Sequence, residues 1–468
     1  MQSDRHVARN FLALVSGEAV SRIIAFGVTV FIARVLGAEG YGVIAFAIGV
    51  NLYFSKLADF AVEWIGAREI AKQRDRLESL VAAIMGIRLV FVFLLTIISI
   101  LLVQLFMPEP ERDVLSLYLL TMIPLAASTK WVHLGIEDAK PIGLARVLGE
   151  TTGLVIVLAV MTQAVELWVP PVAQITSEVL VALFLFIVLR QRGYRISFSL
   201  DLKTALPVFR AGFPLVVHML LGLFIYNSDL IFLRMFRDSE QVGYYAAAYT
   251  LISLICNLGI SYGMSLTPAL TRLGPGSDAE RAQYHTALAQ IFAVTFPISV
   301  GGCLLAGSII HLAFGTEYTA SVLALQILIW SIPLSIFRNV PWAGLIARHR
   351  EDLLLRAVTV GAVVNVLLNV TLIPLYGILG AAVATVITES MVGAIMLYYA
   401  ADLGLPFVEL SRLWKPVVAG VAMGLVLWWT GGLLLPVAFV AGVAVYGLCL
   451  ALVGGIRFAR GRLPALHV

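Results

Sequence analysis

The chain has 468 residues, 60% of them apolar and only 13% charged, with a formal net charge of +4 and a mean hydropathy of +0.96. A soluble domain carries about 25% charged residues. Half that level, gathered between long uncharged runs, excludes a soluble enzyme or a nucleic-acid-binding module and leaves a polytopic membrane protein.

The N-terminus, MQSDRHVARN, passes directly into an apolar run with no small-residue cleavage site, so it reads as the approach to a retained span and not as a signal peptide. Apolar runs of span length then fall near 11–33, 42–65, 80–106, 113–134, 142–163 and 167–189. A second set falls near 208–233, 243–268, 286–312, 319–346, 353–375 and 378–400, and a last pair near 414–430 and 434–456. The expected fold is therefore all-α, with about fourteen transmembrane helices.

Lys and Arg set the orientation. With a cytoplasmic N-terminus, roughly 23 of them lie on the inner face and 4 on the outer, a positive-inside bias that also requires an even number of spans. Both termini are then cytoplasmic. The basic stretch 191–207 reads as a cytoplasmic linker between an N-terminal lobe, 1–190, and a C-terminal lobe, 208–402, its charge facing anionic lipid headgroups. Residues 403–468 hold the extra helix pair and a basic tail. No GxxxxGK[ST] phosphate loop, HExxH or large outer loop occurs, so neither ATP, nor a cofactor, nor a catalytic residue is expected. Cys256, Cys303 and Cys449 lie inside apolar runs without paired spacing and read as core fillers, with no metal site.

Two stretches echo one another. FIARVLGAEGYGVIA (31–45) joins the first two spans through Arg34 and a turn carrying Gly37, Gly40 and Gly42. In FLRMFRDSEQVGYYA (232–246), Arg234 again ends an apolar run and Gly243 begins the next. Matching hairpins suggest matching halves, as in many transporters, and mark candidate gating segments.

Ionisable groups deep in spans are expensive and usually face a partner or a wet cavity. Glu18 and Arg22 sit one turn apart and read either as a structural ion pair or as cavity residues. Lys130 and His133 either snorkel or line a cavity. Glu178, His218 and Glu389 lie near mid-span, and Arg338 sits beside Asn339 and Pro341 in the tenth span. Asp59 and Glu63, with Arg68, read as an interfacial cluster near the inner end of the second span. Arg88 and Asp229 have no opposite charge one turn away, so their partners come from another helix, water or substrate. Pro214, Pro268, Pro297, Pro333 and Pro341 are expected to bend second-half spans.

ARVLGAEGYGVIAF (33–46) with LADFAVEWIGAREIA (57–71) resembles the opening of Wzx-type polysaccharide flippases of the multidrug/oligosaccharidyl-lipid/polysaccharide exporter superfamily. YNSDLIFL (226–233), VGYYAAAY (242–249), LTPALTRL (266–273), NVPWAGLIARHR (339–350) and NVLLNVTLIPLYGILGAAVATVITE (365–389) extend the likeness to about 10–400. The resemblance implies two six-helix lobes forming a V plus two further helices. It also implies translocation of a polyprenyl-diphosphate-linked oligosaccharide to the outer leaflet by alternating access, with a polysaccharide polymerase and glycosyltransferases as partners. Arg22, Arg88, Lys130 and Arg338 are the cations such a cavity needs. Asp229 is the candidate acid for coupling to a proton or sodium gradient. Two other readings stand beside this one. An ion-coupled drug exporter of the same superfamily predicts a cavity of acids and aromatics. A membrane glycan polymerase or ligase predicts catalytic groups in a substantial outer loop.

Overall fold

A computed structural model describes residues 2–162, 166–405, 407, 410–430, 434–457 and 465–466. Most of the C-terminal basic tail, Arg460 and Arg462 included, lies outside the described residues. The chain is almost wholly helical, as composition demands, because a backbone within lipid must satisfy its own hydrogen bonds. Its contacts divide it into two compact units: residues 1–234 with 238–243, and residues 235–237 with 244–468.

The first unit opens with α1 (Gln2–Asp59), α2 (Val62–Lys72) and α3 (Leu77–Phe106). As one straight rod α1 would run about 87 Å, roughly three times the hydrocarbon thickness. Gly37, at φ 68° and ψ −179°, breaks it into two arms. The sequence reading assigned the turn to three glycines, but Gly40 and Gly42 are helical. One residue able to take positive φ suffices.

The fourth predicted span is interrupted, forming α4 (Glu111–Leu119), α5 (Met122–Ala127) and α6 (Lys130–Gly135). Two continuous helices follow, α7 (Lys140–Met161) and α8 (Val169–Gln191). They pack along their length through glycines. A Cβ on Gly149 would lie 2.6 Å from Val181 Cγ2, and one on Gly153 would lie 2.8 Å from Ser177 Oγ. The Gly-x-x-x-Gly spacing is thus a close-approach device between spans. The basic stretch after α8 lies inside the first unit. Its Ser199 N–H donates to the Ala82 carbonyl at 3.0 Å, and the Arg195 N–H donates to Glu78 at 2.7 Å. Asp201 then caps α9 (Leu202–Phe236), accepting from the Thr204 hydroxyl at 2.6 Å and the Lys203 N–H at 3.0 Å.

Most of α10 (Ser239–Leu273) belongs to the second unit, followed by α11 (Asp278–Leu304) and α12 (Ala306–Ala313). The tenth predicted span is broken into α13 (Ser321–Leu328), α14 (Ser331–Phe337) and α15 (Asn339–Ala347), with a 42° bend at its first break. Pro333 and Pro341 sit in the first turns of α14 and α15, where a missing N–H costs nothing. Pro214, Pro268 and Pro297 lie inside continuous helices. The second unit ends with α16 (Glu351–Tyr376), α17 (Ile378–Asp402), α18 (Leu410–Trp429) and α19 (Leu435–Leu452).

Among the described residues, 11 helices are long and apolar enough to cross a membrane, or 12 when the bent pair Thr316–Leu328 and Ser331–Ala347 counts as one span. Fourteen is not reached on that basis. Gly17–Lys72 is one piece holding two predicted spans, and Leu413–Trp429 is short.

Candidate functional site: ion-paired charges within the spans

The first unit gathers most of the deep charges. Gly17 and Gly143 let α1 approach α7 closely, since a Cβ on Gly17 would lie 2.7 Å from the Cα of Gly143. Glu18 follows Gly17 and pairs with Arg22 at 3.2 Å, both side chains being about half exposed. One turn beyond Gly143, the Arg146 guanidinium donates to Glu178 on α8 at 3.3 Å. Gln174 donates to the same carboxylate oxygen, also at 3.3 Å. Arg146 and Glu150 also interact electrostatically with Glu18, so α1, α7 and α8 share one network. Lys130 extends it, meeting Glu63 on α2 at 2.7 Å. Glu63 in turn lies within electrostatic range of Arg146.

Arg88 answers differently. Its guanidinium is fully enclosed, donating to the Asp59 carboxylate at 3.0 Å and the Ala58 carbonyl at 3.2 Å. Asp59 and Glu63 are thus paired across helices, with Arg88 and Lys130, while the contact of Arg68 is Glu69 at 3.4 Å. His133 is also enclosed, its Nε2 facing the Leu185 carbonyl at 3.0 Å and its Nδ1 facing Asp138 at 3.4 Å. A carbonyl only accepts, so Nε2 carries a proton. Asp229 is buried on α9 and interacts with Tyr53 of α1, while nearby Asn227 donates to the Gly49 carbonyl at 2.7 Å. His218 is partly buried and makes no hydrogen bond among the described residues.

The two echoing stretches meet. A Cβ on Gly42 would fall on the Ser239 carbonyl, and one on Gly243 on the Ala38 carbonyl, so here backbone rests against backbone. Beside them the Arg234 guanidinium donates to Glu111 at 2.5 Å, and the Ser239 hydroxyl donates to the same oxygen at 2.6 Å. Glu111 is 1% exposed. Arg34 stays exposed on α1. In the second unit, Arg338 and Glu389 find one another at 2.9 Å. Close to Glu389 along α17, the buried Thr385 meets the Tyr245 hydroxyl at 3.1 Å.

Three partners were missed by sequence reasoning. Arg146 was counted toward the inner-face charge, and Glu150 and Glu111 were passed over. A signal existed for the first two, which lie one turn apart inside a predicted span. Glu111 carried none. Among the described residues no group of three His, Cys, Asp or Glu side chains is placed to hold a metal ion.

Long apolar helices with charges neutralised inside them define a multi-span helical membrane protein. Residues 7–274 match the family described as polysaccharide biosynthesis protein, and the chain belongs to that family. It is similar to a putative O-antigen transporter of Shigella dysenteriae, 21% identical over 83% of this chain and 98% of that one. It is also similar to a probable low-salt glycan biosynthesis flippase, Agl15, of Haloferax volcanii, 25% identical over 42% of each chain, so the match spans under half of that relative. Among solved structures, the lipid II flippase MurJ in an inward closed conformation shares the fold, with a TM-score of 0.77, 14% identity, and 94% of this chain and 98% of that one covered.

Proposed function

We propose that this protein is a flippase carrying a polyprenyl-diphosphate-linked oligosaccharide from the cytoplasmic to the outer leaflet by alternating access. The observation that carries the reading is the network joining α1, α2, α6, α7 and α8, in which charges lie inside apolar spans of a chain from the polysaccharide biosynthesis family. A glycan and a diphosphate need a polar path across lipid, while a polyprenyl tail does not. Names given to relatives, an O-antigen transporter and a glycan biosynthesis flippase, point the same way. The mixture of acids with arginines and a lysine argues against a cavity for organic cations.

Side-chain exposure within the ion pairs supports dividing these cations between substrate and scaffold. Arg22 and Lys130 are 40% and 29% exposed in their pairs and are free to exchange a carboxylate for a phosphate oxygen. Arg88, 3% exposed, holds α3 to α1 instead. Arg338, 14% exposed and paired with Glu389, is the corresponding cation of the second unit. Asp229 remains the acid we assign to coupling with a proton or sodium gradient. The protein then resides in the plasma (inner) membrane with both termini cytoplasmic, alongside a polymerase and glycosyltransferases.

The test is the sidedness of polyprenyl-diphosphate oligosaccharide in cells depleted of the protein. Intact lipid-linked glycan trapped on the cytoplasmic leaflet, and released on re-expression, is the expected result. Normal sidedness with new sensitivity to organic cations would move the assignment to drug export.

A further inference from the structure

Glu150 is the odd member of the network. It lies near the middle of α7, a 22-residue span, yet makes no hydrogen bond and no ion pair among the described residues. Its neighbours Glu18, Glu63 and Glu178 each have a cation within 3.3 Å. Arg146, one turn away, is hydrogen-bonded to Glu178 and reaches Glu150 by electrostatic attraction alone. A carboxylate at this depth with open acceptor sites is costly unless a ligand fills them.

The helical period says where that ligand lies. The exposed stripe of α7 is mostly apolar, formed by Leu144, Leu148 and Val155 at 53%, 38% and 58% exposure, with Thr151 between them turning its hydroxyl onto the Val147 carbonyl at 2.7 Å. At 100° per residue, Arg146 and Glu150 fall on the opposite face, with Gly143 and Gly153. They therefore turn from the lipid-facing stripe towards the network. The groups offered there are mixed. Glu150 only accepts, Arg146 has donors to spare, and Gln174 keeps its carbonyl free among the described residues. With Glu18 and Glu178 neutralised by Arg22 and Arg146, the local balance is one negative charge. That repels phosphate and suits a neutral group that both donates and accepts.

We propose that Glu150, with Arg146 and Gln174, is a subsite for the hydroxyl groups of an uncharged glycan, separate from the cations that meet the diphosphate. This deepens the flippase reading and rests on it. A sugar hydroxyl donates to Glu150 and accepts from Arg146, so each bond is charge-assisted. A uronic acid at the same place would oppose Glu150 and be refused, giving the site selectivity by charge.

The test measures binding to the purified full-length protein in nanodiscs by calorimetry. Three short-chain isoprenoid diphosphates serve as probes: one bare, one carrying a neutral disaccharide, one a disaccharide ending in a uronic acid. The wild type should prefer the neutral glycoside over both others by about tenfold. Glu150→Gln should collapse the preference over the bare diphosphate, and Gln174→Ala should reduce it. Glu150→Gln should also gain affinity for the uronate probe, a gain that misfolding cannot produce. A variant that keeps the full preference and still refuses the uronate overturns the subsite. Failure of all three probes to bind the wild type would instead overturn the flippase reading beneath it.

Discussion

Arg88 shows how a deep cation is to be read. Among the described residues its hydrogen-bond partners are a carboxylate and a backbone carbonyl at the end of α1, and its own side chain is 3% exposed. Removing one member of such a pair leaves a buried charge and costs about 3–5 kcal/mol, whereas replacing both by apolar groups is often nearly neutral. Arg88→Leu alone should therefore lower the melting temperature in detergent sharply, and Arg88→Leu with Asp59→Leu should recover most of it together with transport. Persistent loss of transport in a stable double variant would return Arg88 to the substrate path. Glu111 obeys the same logic. Glu111→Ala strands Arg234 and Ser239 and should destabilise more than Arg234→Gln, which leaves the serine bond in place. Thermal unfolding of the two variants decides the order.

At the scale of elements, the apolar runs coincide with the 11 described helices long and apolar enough to cross a membrane, because a span is a run of apolar residues whatever its faces. Hydropathy could not locate breaks. The interruptions after Leu119 and Ala127 lie inside one apolar run, and a helix end within protein leaves no compositional mark. Paired charges were equally hard to read. Glu63 and Arg146 sit close enough to span ends to satisfy the positive-inside pattern and also to face one another's partners, so only packing separates the two roles. The glycines carried more than the turn first assigned to them. Gly42 and Gly243 were singled out as hairpin residues, and their larger constraint is backbone contact. Gly42→Val and Gly243→Val should each cost about 1–3 kcal/mol or more through overpacking, with lower folded yield on size exclusion, while Gly27→Ala, with open space around it, should be tolerated. The Asp201 cap gives a pH signature outside the spans. Bonds from the Thr204 hydroxyl, aided by backbone N–H groups, hold its carboxyl below the ordinary aspartate range. A depressed folded value stabilises the helix start above the unfolded pKa and is lost as pH falls through the folded one. Amide exchange at the first turn of α9 should therefore accelerate on acidification below that range, and should already be fast in Asp201→Ala at neutral pH.

For the whole molecule, the account joins a membrane fold to a polar path for a lipid-linked glycan. Membership of the polysaccharide biosynthesis family and the fold shared with MurJ were both legible in ordered fragments of sequence, some of which hold the glycines where backbone meets backbone. The substrate path was less legible, because a cavity is a property of faces and a single sequence gives no ranking of apolar faces. The most direct test uses purified protein in liposomes carrying a polyprenyl-diphosphate oligosaccharide in both leaflets. A membrane-impermeant hydrolase cleaves what it can reach. The account predicts cleavage of nearly all the lipid with active protein, and of about half in empty liposomes. Cleavage halting at about half with folded wild-type protein, under either a proton or a sodium gradient, would contradict it.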